Sequence, residues 1–256
     1  MRCKPDYGID SPVIITFQAI ASLIAFVVAG VWPRLLDLPA GWIGLVSGLY
    51  FLHGAIAMAS CSKVGKLKLR DQVLDAIPWR GDESVLDVGC GRGLLLVGAA
   101  RRLTTGIAVG MDPWLPQALS GNAPQAVLKN AEAEGVSARV QVERGDVRQL
   151  PFADTSFDVV VSNFVVHEVN TPAEREAMLR EMVRVLKPGG RLVLVDFIFT
   201  GHCVAILRAA GLDANRARIG RLSFWMAAIL SFGSFHLYQV ARARRYKHHP
   251  RIWPRA

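Results

Sequence analysis

The chain has 256 residues, of which 52% are hydrophobic and 20% charged, with a formal net charge of +9. That length holds one or two domains with a sizeable core, and the composition excludes a disordered or collagen-like chain. A mean hydropathy of +0.29 is high for a plain soluble enzyme, which directs attention to local apolar excess.

From Ser11 to Pro33, and again from Leu38 to Ser62, no side chain carries a charge. Each stretch is long enough to cross a bilayer core of about 30 Å as a helix. The short link between them, PRLLDL, is bounded by Pro33 and Pro39, so the pair reads as a helical hairpin with Trp32 and Trp42 at interface depth. Basic residues lie outside both ends: Arg2 and Lys4 before the first span, and Lys63, Lys66, Lys68 and Arg70 after the second. Their positions predict a two-span protein with both termini and the catalytic region on the cytoplasmic side. A secretory signal peptide is the rival, but its apolar region is shorter. Gly44 and Gly48 form a GxxxG spacing that suits close approach of the first span or of a second copy, a homodimer through the hairpin. His53 in the second span reads either as a functional ionisable group or as a neutral histidine bonded to its own helix. The expected organisation is a hairpin over residues 1–62, a catalytic domain over 63–245 and a basic tail over 246–256.

After an amphipathic run, LRDQVLDAIPW, strand-like and helix-like segments alternate, which predicts a parallel sheet covered on both faces. Strands are expected at SVLDVG, GIAVGMD, ARVQVER, FDVVVSN and GRLVLVDF, with two more near Ala214–Arg221 and in HLYQVARAR. Helices fall at GLLLVGAARRL, at Asn122–Gly135 with Asn122 as N-cap and Gly135 as stop, and from Thr171, where Pro172 and Glu174 make a capping box, to Lys187–Gly190. A further short helix is expected near His202–Ala210. The fold class is α/β: a Rossmann-like, doubly wound, mostly parallel seven-stranded sheet preceded by two transmembrane helices. The apolar interval Ser223–Gly233 is too short to span a bilayer and reads as a core helix or a segment dipping into the membrane surface. No acidic residue follows Asp213, while nine Lys and Arg do. This basic end is either a solvated tail or a contact for an anionic membrane, and with no groove-reading element nucleic acid is the weaker partner. The four cysteines, Cys3, Cys61, Cys90 and Cys203, are scattered, so no disulfide framework or metal site is expected.

The nonapeptide Val85–Gly93, VLDVGCGRG, is a strand entering a glycine turn that opens a helix. Its glycines, Gly89, Gly91 and Gly93, are spaced GxGxG, and the position where a dinucleotide fingerprint requires a third glycine holds Leu94. Asp87, two residues before Gly89, repels a pyrophosphate but suits a ligand with ammonium and sulfonium charges. Asp112 ends the second strand, where a carboxylate offers two acceptors to a ribose diol, and Trp114 is placed to cover an adenine face. Asp146 follows the third strand, suited to accept from an adenine amino group while Val147 packs the ring. Each acid alone reads as a loop or helix cap; three at successive strand ends point to a ligand.

With VGMDPW, GDVRQLPFADTSFDVVVSN and RVLKPGGRLVLVDF, this turn resembles the motifs of class I S-adenosylmethionine-dependent methyltransferases, in particular the small-molecule group containing the ubiquinone and menaquinone C-methyltransferases. The likeness runs from about Lys63 to Arg244 and departs from that group in the hairpin and in Ser223–Gly233. It implies S-adenosylmethionine as cofactor, with Asp87, Gly89, Cys90 and Gly91 along the methionine portion, Asn163 beside the methionine end, Asp112 on the ribose, and Asp146 with Val147 at the adenine. The implied reaction is methyl transfer to a small or lipid-like acceptor. His167, with Glu168 beside it, stands just past the fourth strand as the candidate base, or as a residue that orients substrate or caps the next turn. A non-catalytic membrane-anchored binding or scaffold protein is the alternative.

Overall fold

The computed structural model describes residues 4–10, 12–36, 41–115, 119, 121–196, 200–218 and 239–245. The Ser223–Gly233 interval and the 246–256 tail lie outside them.

Two long helices open the fold, α1 (Pro12–Leu36) and α2 (Gly41–Ser60). A π-helical turn at Cys61–Gly65 carries α2 without a break into α3 (Lys66–Leu74), so the 62/63 boundary falls inside one helical rod. Both helices are long and apolar enough to cross a membrane. Much of their apolar surface has no protein partner: Phe17 is 66% exposed, Leu23 65%, Trp42 73% and Ile43 70%. His53 is exposed as well. The two helices pack against each other through α2 glycines. A Cβ on Gly44 would stand 2.8 Å from the Ala25 carbonyl oxygen, and one on Gly48 2.6 Å from the Phe26 ring. The Ser22 hydroxyl donates to the Gly48 carbonyl at 2.8 Å. Of the two partners expected for the GxxxG pair, the structure shows the first span.

The α/β unit alternates β1 (Ser84–Val88), α4 (Leu94–Ala100), β2 (Ile107–Asp112), α5 (Pro124–Ala133), β3 (Val140–Arg144), β4 (Phe157–Asn163), α6 (Pro172–Val185), β5 (Leu186–Asp196), α7 (Thr200–Ala209), β6 (Leu212–Arg218) and β7 (Gln239–Arg245). The sheet order is β3-β2-β1-β4-β5-β7-β6. Strands β3 through β5 pair in parallel, and β7 runs antiparallel to both neighbours. Parallel strands buried on both faces need apolar residues at consecutive positions, and β1 and β4 supply them. Val85, Val159, Val161 and Val193 face the layer holding α3, α4 and α5. Leu86, Val88, Val160, Leu192 and Leu194 face the layer holding α6 and α7.

Local signals set most of the boundaries. Thr171 and Glu174 form the reciprocal capping box of α6, with Pro172 at its first position. Gly135 takes φ +73°, the left-handed geometry that closes α5. Asn122, by contrast, is not the N-cap: α5 starts at Pro124 after an extended Ala123. Nor do Lys187–Gly190 belong to the end of α6, because β5 begins at Leu186 and shifts register before Arg191.

A strap of chain before the hairpin crosses onto the α/β unit. The Asp6 N–H donates to Asn130 Oδ1 at 2.8 Å, and Asn130 Nδ2 donates to the carbonyls of Asp6 and Arg92 at 3.0 and 2.9 Å. The guanidinium of Arg92, inside the glycine turn, pairs with the Asp6 carboxylate at 2.9 Å. Buried Lys66 Nζ donates to the Tyr7 and Gly8 carbonyls at 2.8 and 2.7 Å. The Tyr7 hydroxyl donates to Glu134, whose carboxylate also pairs with Arg70 at 2.8 Å.

Candidate active site

The carboxyl ends of β1, β2, β3 and β4 open onto a cavity of about 1130 Å³, the crevice where doubly wound sheets bind ligands. Its floor is the turn after β1. Gly89, Gly91 and Gly93 all take positive φ, at +72°, +53° and +83°. A Cβ on Gly89 would stand 2.3 Å from Val165 Cγ2, so the first glycine is required by packing as well as by its backbone. Only Leu119, at 3.4 Å, lies near the place of a Cβ on Gly91, leaving that stretch of backbone open to the cavity.

The predicted site residues Asp87, Gly89, Cys90, Gly91, Asp112, Trp114, Asp146, Val147, Asn163 and His167 all line this cavity. Their states differ. Asp87 is 1% exposed; Oδ2 accepts from the Leu96 N–H at 2.8 Å, while Oδ1 is buried without a hydrogen-bond partner. Burial pushes its carboxyl up to about 8, only partly offset by the Leu96 hydrogen bond. Asn163 Oδ1 is likewise buried and unpartnered. Two orphaned acceptors on one cavity wall fit a ligand that brings a cationic donor, such as an ammonium.

Asp112, 7% exposed, straps the turn: Oδ2 accepts from the Gly91 N–H at 2.8 Å and Oδ1 from the Trp114 N–H at 2.6 Å. A carboxylate has about four lone-pair sites, so each oxygen keeps capacity for a hydroxyl donor. Trp114 sits at φ +48° and is 4% exposed, with Nε1 donating to the Gly91 carbonyl at 3.0 Å. Its indole thus also braces the turn from the core. Cys90 is buried, and desolvation holds its thiol well above the ordinary range, so it is no nucleophile. Asp146 is half-exposed at the rim with both oxygens on Arg148, whose hydrogen bond holds its carboxyl below the usual range. Arg148 continues to Glu174.

His167 follows β4 on a short 3-10 turn. Its Nδ1 lies 3.2 Å from Asp196 Oδ2, and Nε2 lies 3.1 Å from Glu168 Oε1. Asp196, fully buried at the end of β5, also accepts the His167 backbone N–H at 3.3 Å. Burial alone would depress the imidazole, but the Asp196 hydrogen bond and charge, joined by Glu168, outweigh it and raise the pKa. Asp196, which holds His167 from behind the cavity, is a residue that the motif reading passes over, although it ends β5 as Asp112 ends β2. A second group unseen in the sequence comes from outside the α/β unit: Ile14 and Gln18 of α1 and Met58 of α2 line the same cavity.

Comparison with known proteins defines the class of this region. Residues 86–194 match the model of a methyltransferase domain. The cofactor of such a domain is S-adenosylmethionine, and the orphaned acceptors, open glycine backbone and strapped Asp112 suit it. Among particular relatives, the chain is 29% identical over 174 residues to a 27-O-demethylrifamycin SV methyltransferase of Amycolatopsis mediterranei, covering 67% of this chain and 57% of that one. It is 34% identical over 128 residues to a ubiquinone/menaquinone biosynthesis C-methyltransferase of Ruegeria sp., covering 50% and 48%. The chain thus spans about half the length of the curated relatives it matches. An O-methyltransferase family protein from Burkholderia thailandensis shares the fold at a TM-score of 0.57 and 17% identity, covering 92% of this chain and 72% of that one.

Proposed function

We propose that the protein transfers a methyl group from S-adenosylmethionine to a small, lipophilic acceptor at the cytoplasmic face of a membrane, with residues 1–62 as a two-span anchor. The observation that carries this reading is the single cavity shared by the glycine turn and the two apolar helices. S-Adenosylmethionine supplies an electrophilic methyl on a sulfonium. The chain's own residues do the rest. Asp87 and Asn163 would hold the ammonium end, Asp112 the ribose, and Val147 with Asp146 the adenine side. Holding donor and acceptor in line, with water excluded, accounts for most of the rate in such a displacement. With the donor bound, its S–CH3 bond would break as the bond to the acceptor formed. Where the acceptor is a hydroxyl, its proton passes to His167, whose resulting charge Asp196 stabilises.

Two measurements test the reading. Calorimetry should give S-adenosylmethionine binding that weakens roughly tenfold or more in Asp112→Ala, which removes two charge-assisted hydrogen bonds. Radiolabelled donor incubated with the full chain and a membrane extract should label an organic-soluble product, with the protein retained in carbonate-washed membranes. Binding without any labelled product, or release by carbonate, would overturn it in favour of a non-catalytic or soluble protein.

A further inference from the structure

The inner ends of the hairpin helices are built into the wall of the reaction cavity. Ile14 and Gln18 of α1 and Met58 of α2 line the same space as Asp112 and His167. Ile14 and Gln18 belong to the apolar stretch Pro12–Val31, and Met58 to the helix starting at Gly41. Gln18 lies six residues into α1, about 9 Å along its axis from Pro12. It is the one side-chain amide in a segment otherwise made of apolar and small residues, with two hydroxyls. Its Oε1 is buried and has no hydrogen-bond partner. The amide rests against Gly54 of α2, where a Cβ would stand 2.9 Å from Oε1; any larger residue there would displace it. An amide oxygen buried without a partner in an apolar helix is costly unless a ligand completes its hydrogen bonds, and polar groups at such depth mark ligand paths.

We infer that the hairpin forms the acceptor half of the active site, with Gln18 recognising the polar head of a membrane-resident amphiphile whose apolar tail runs out between Ile14 and Met58. This rests on the methyltransferase reading above. The acceptor class is a hydroxyl- or carbonyl-bearing ring or head group on a hydrocarbon tail, because a primary amide pairs with either group and the surrounding wall offers apolar contact. Entry is lateral, from the leaflet, so the acceptor reaches His167 without crossing water. A free, tailless acceptor fills only the polar end of the cavity.

The test uses the full chain in phosphatidylcholine–phosphatidylglycerol nanodiscs and a 4-decylphenol bearing a diazirine on its tail. Photolabelling mapped by mass spectrometry should concentrate on the peptides holding Ile14 and Met58. It should fall at least fivefold in Met58→Trp, which fills the path, and stay unchanged in Leu23→Trp, a 65%-exposed position of α1 away from the cavity. Gln18→Leu should weaken probe binding roughly threefold to tenfold, the loss of one hydrogen bond, and leave S-adenosylmethionine affinity as in the wild type. Labelling spread evenly over the lipid-facing positions and unmoved by Met58→Trp overturns the inference. Site-specific labelling without methyl transfer to any acceptor overturns the catalytic reading instead and leaves the pocket standing.

Discussion

If Asp87 holds the donor as proposed, it couples donor binding to the proton balance of the site. Its carboxyl, raised to about 8 by burial, is mostly protonated at pH 7 without ligand. A cation placed beside unpartnered Oδ1 favours the charged form, so S-adenosylmethionine binding should release on the order of one proton per site at pH 7. Calorimetry in buffers of different ionisation enthalpy reads this number directly; it should vanish in Asp87→Asn. The same shift bears on stability. With the folded pKa above the unfolded value, the protonated carboxyl favours the ligand-free fold at low pH, and that contribution is lost as pH rises through about 8.

His167 obeys the same sign rule from the opposite side. Its raised pKa means that the Asp196–His167 pair stabilises the fold below the ordinary imidazole pKa, and the gain fades as pH rises through the folded value. A general base must be neutral, so activity should climb with pH through that raised value. Asp196→Asn should move the acidic limb of the pH–rate profile to lower pH and lower the plateau rate. An unmoved limb would assign His167 a purely structural place. Ten cavity residues were legible in the sequence, most because strand-end acids and a glycine turn are local patterns, and Asn163 through the family resemblance alone. Asp196 was not, because its role exists only where β5 ends beside the turn after β4, a contact of 29 residues' separation.

Among the elements, the hairpin is sensitive to a single methyl group. Gly48→Ala drives a Cβ into the Phe26 ring, contacts at 2.6 Å that force the helices apart or turn the ring. The expected cost is about 1–3 kcal/mol, the usual range for overpacking, read from unfolding in mixed micelles. Gly30, with nothing within 4 Å of a Cβ, is the matched control and should tolerate alanine. Element type was well marked in the sequence: β4 runs over FDVVVSN as expected, and Thr171, Pro172 and Glu174 announce α6. The misplacements have physical causes. Asn122 resembles a cap, but Pro124 fixes the first turn and moves the start beyond it. Lys187–Gly190 resembles a helix stop, yet the segment, with Gly189 at φ +82°, already belongs to β5.

For the whole molecule, composition pointed to apolar helices and motif order to the α/β unit, and both are present. What no periodicity discloses is how they meet. The π-helical turn joins α2 rigidly to α3, and α3 is packed into the core through Leu69, Val73 and Leu74. On the other side, the strap from Asp6 to Asp10 ties α1 to Arg92 and Asn130. The hairpin is therefore gripped at both of its inner ends by the layer that carries the glycine turn.

That double grip has a mechanical consequence. A membrane-spanning helix tilts to match the thickness of its bilayer. On the membrane reading, tilting α1 pulls on Asp6, and Asp6 is bonded to Arg92 between Gly91 and Gly93. Lipid chain length then becomes an input to donor affinity, although S-adenosylmethionine never touches lipid. The chain in bilayers of 14-carbon and 22-carbon lipids should differ in S-adenosylmethionine affinity, and Arg92→Ala should erase that difference. Equal affinities in the wild type would show the strap to be slack.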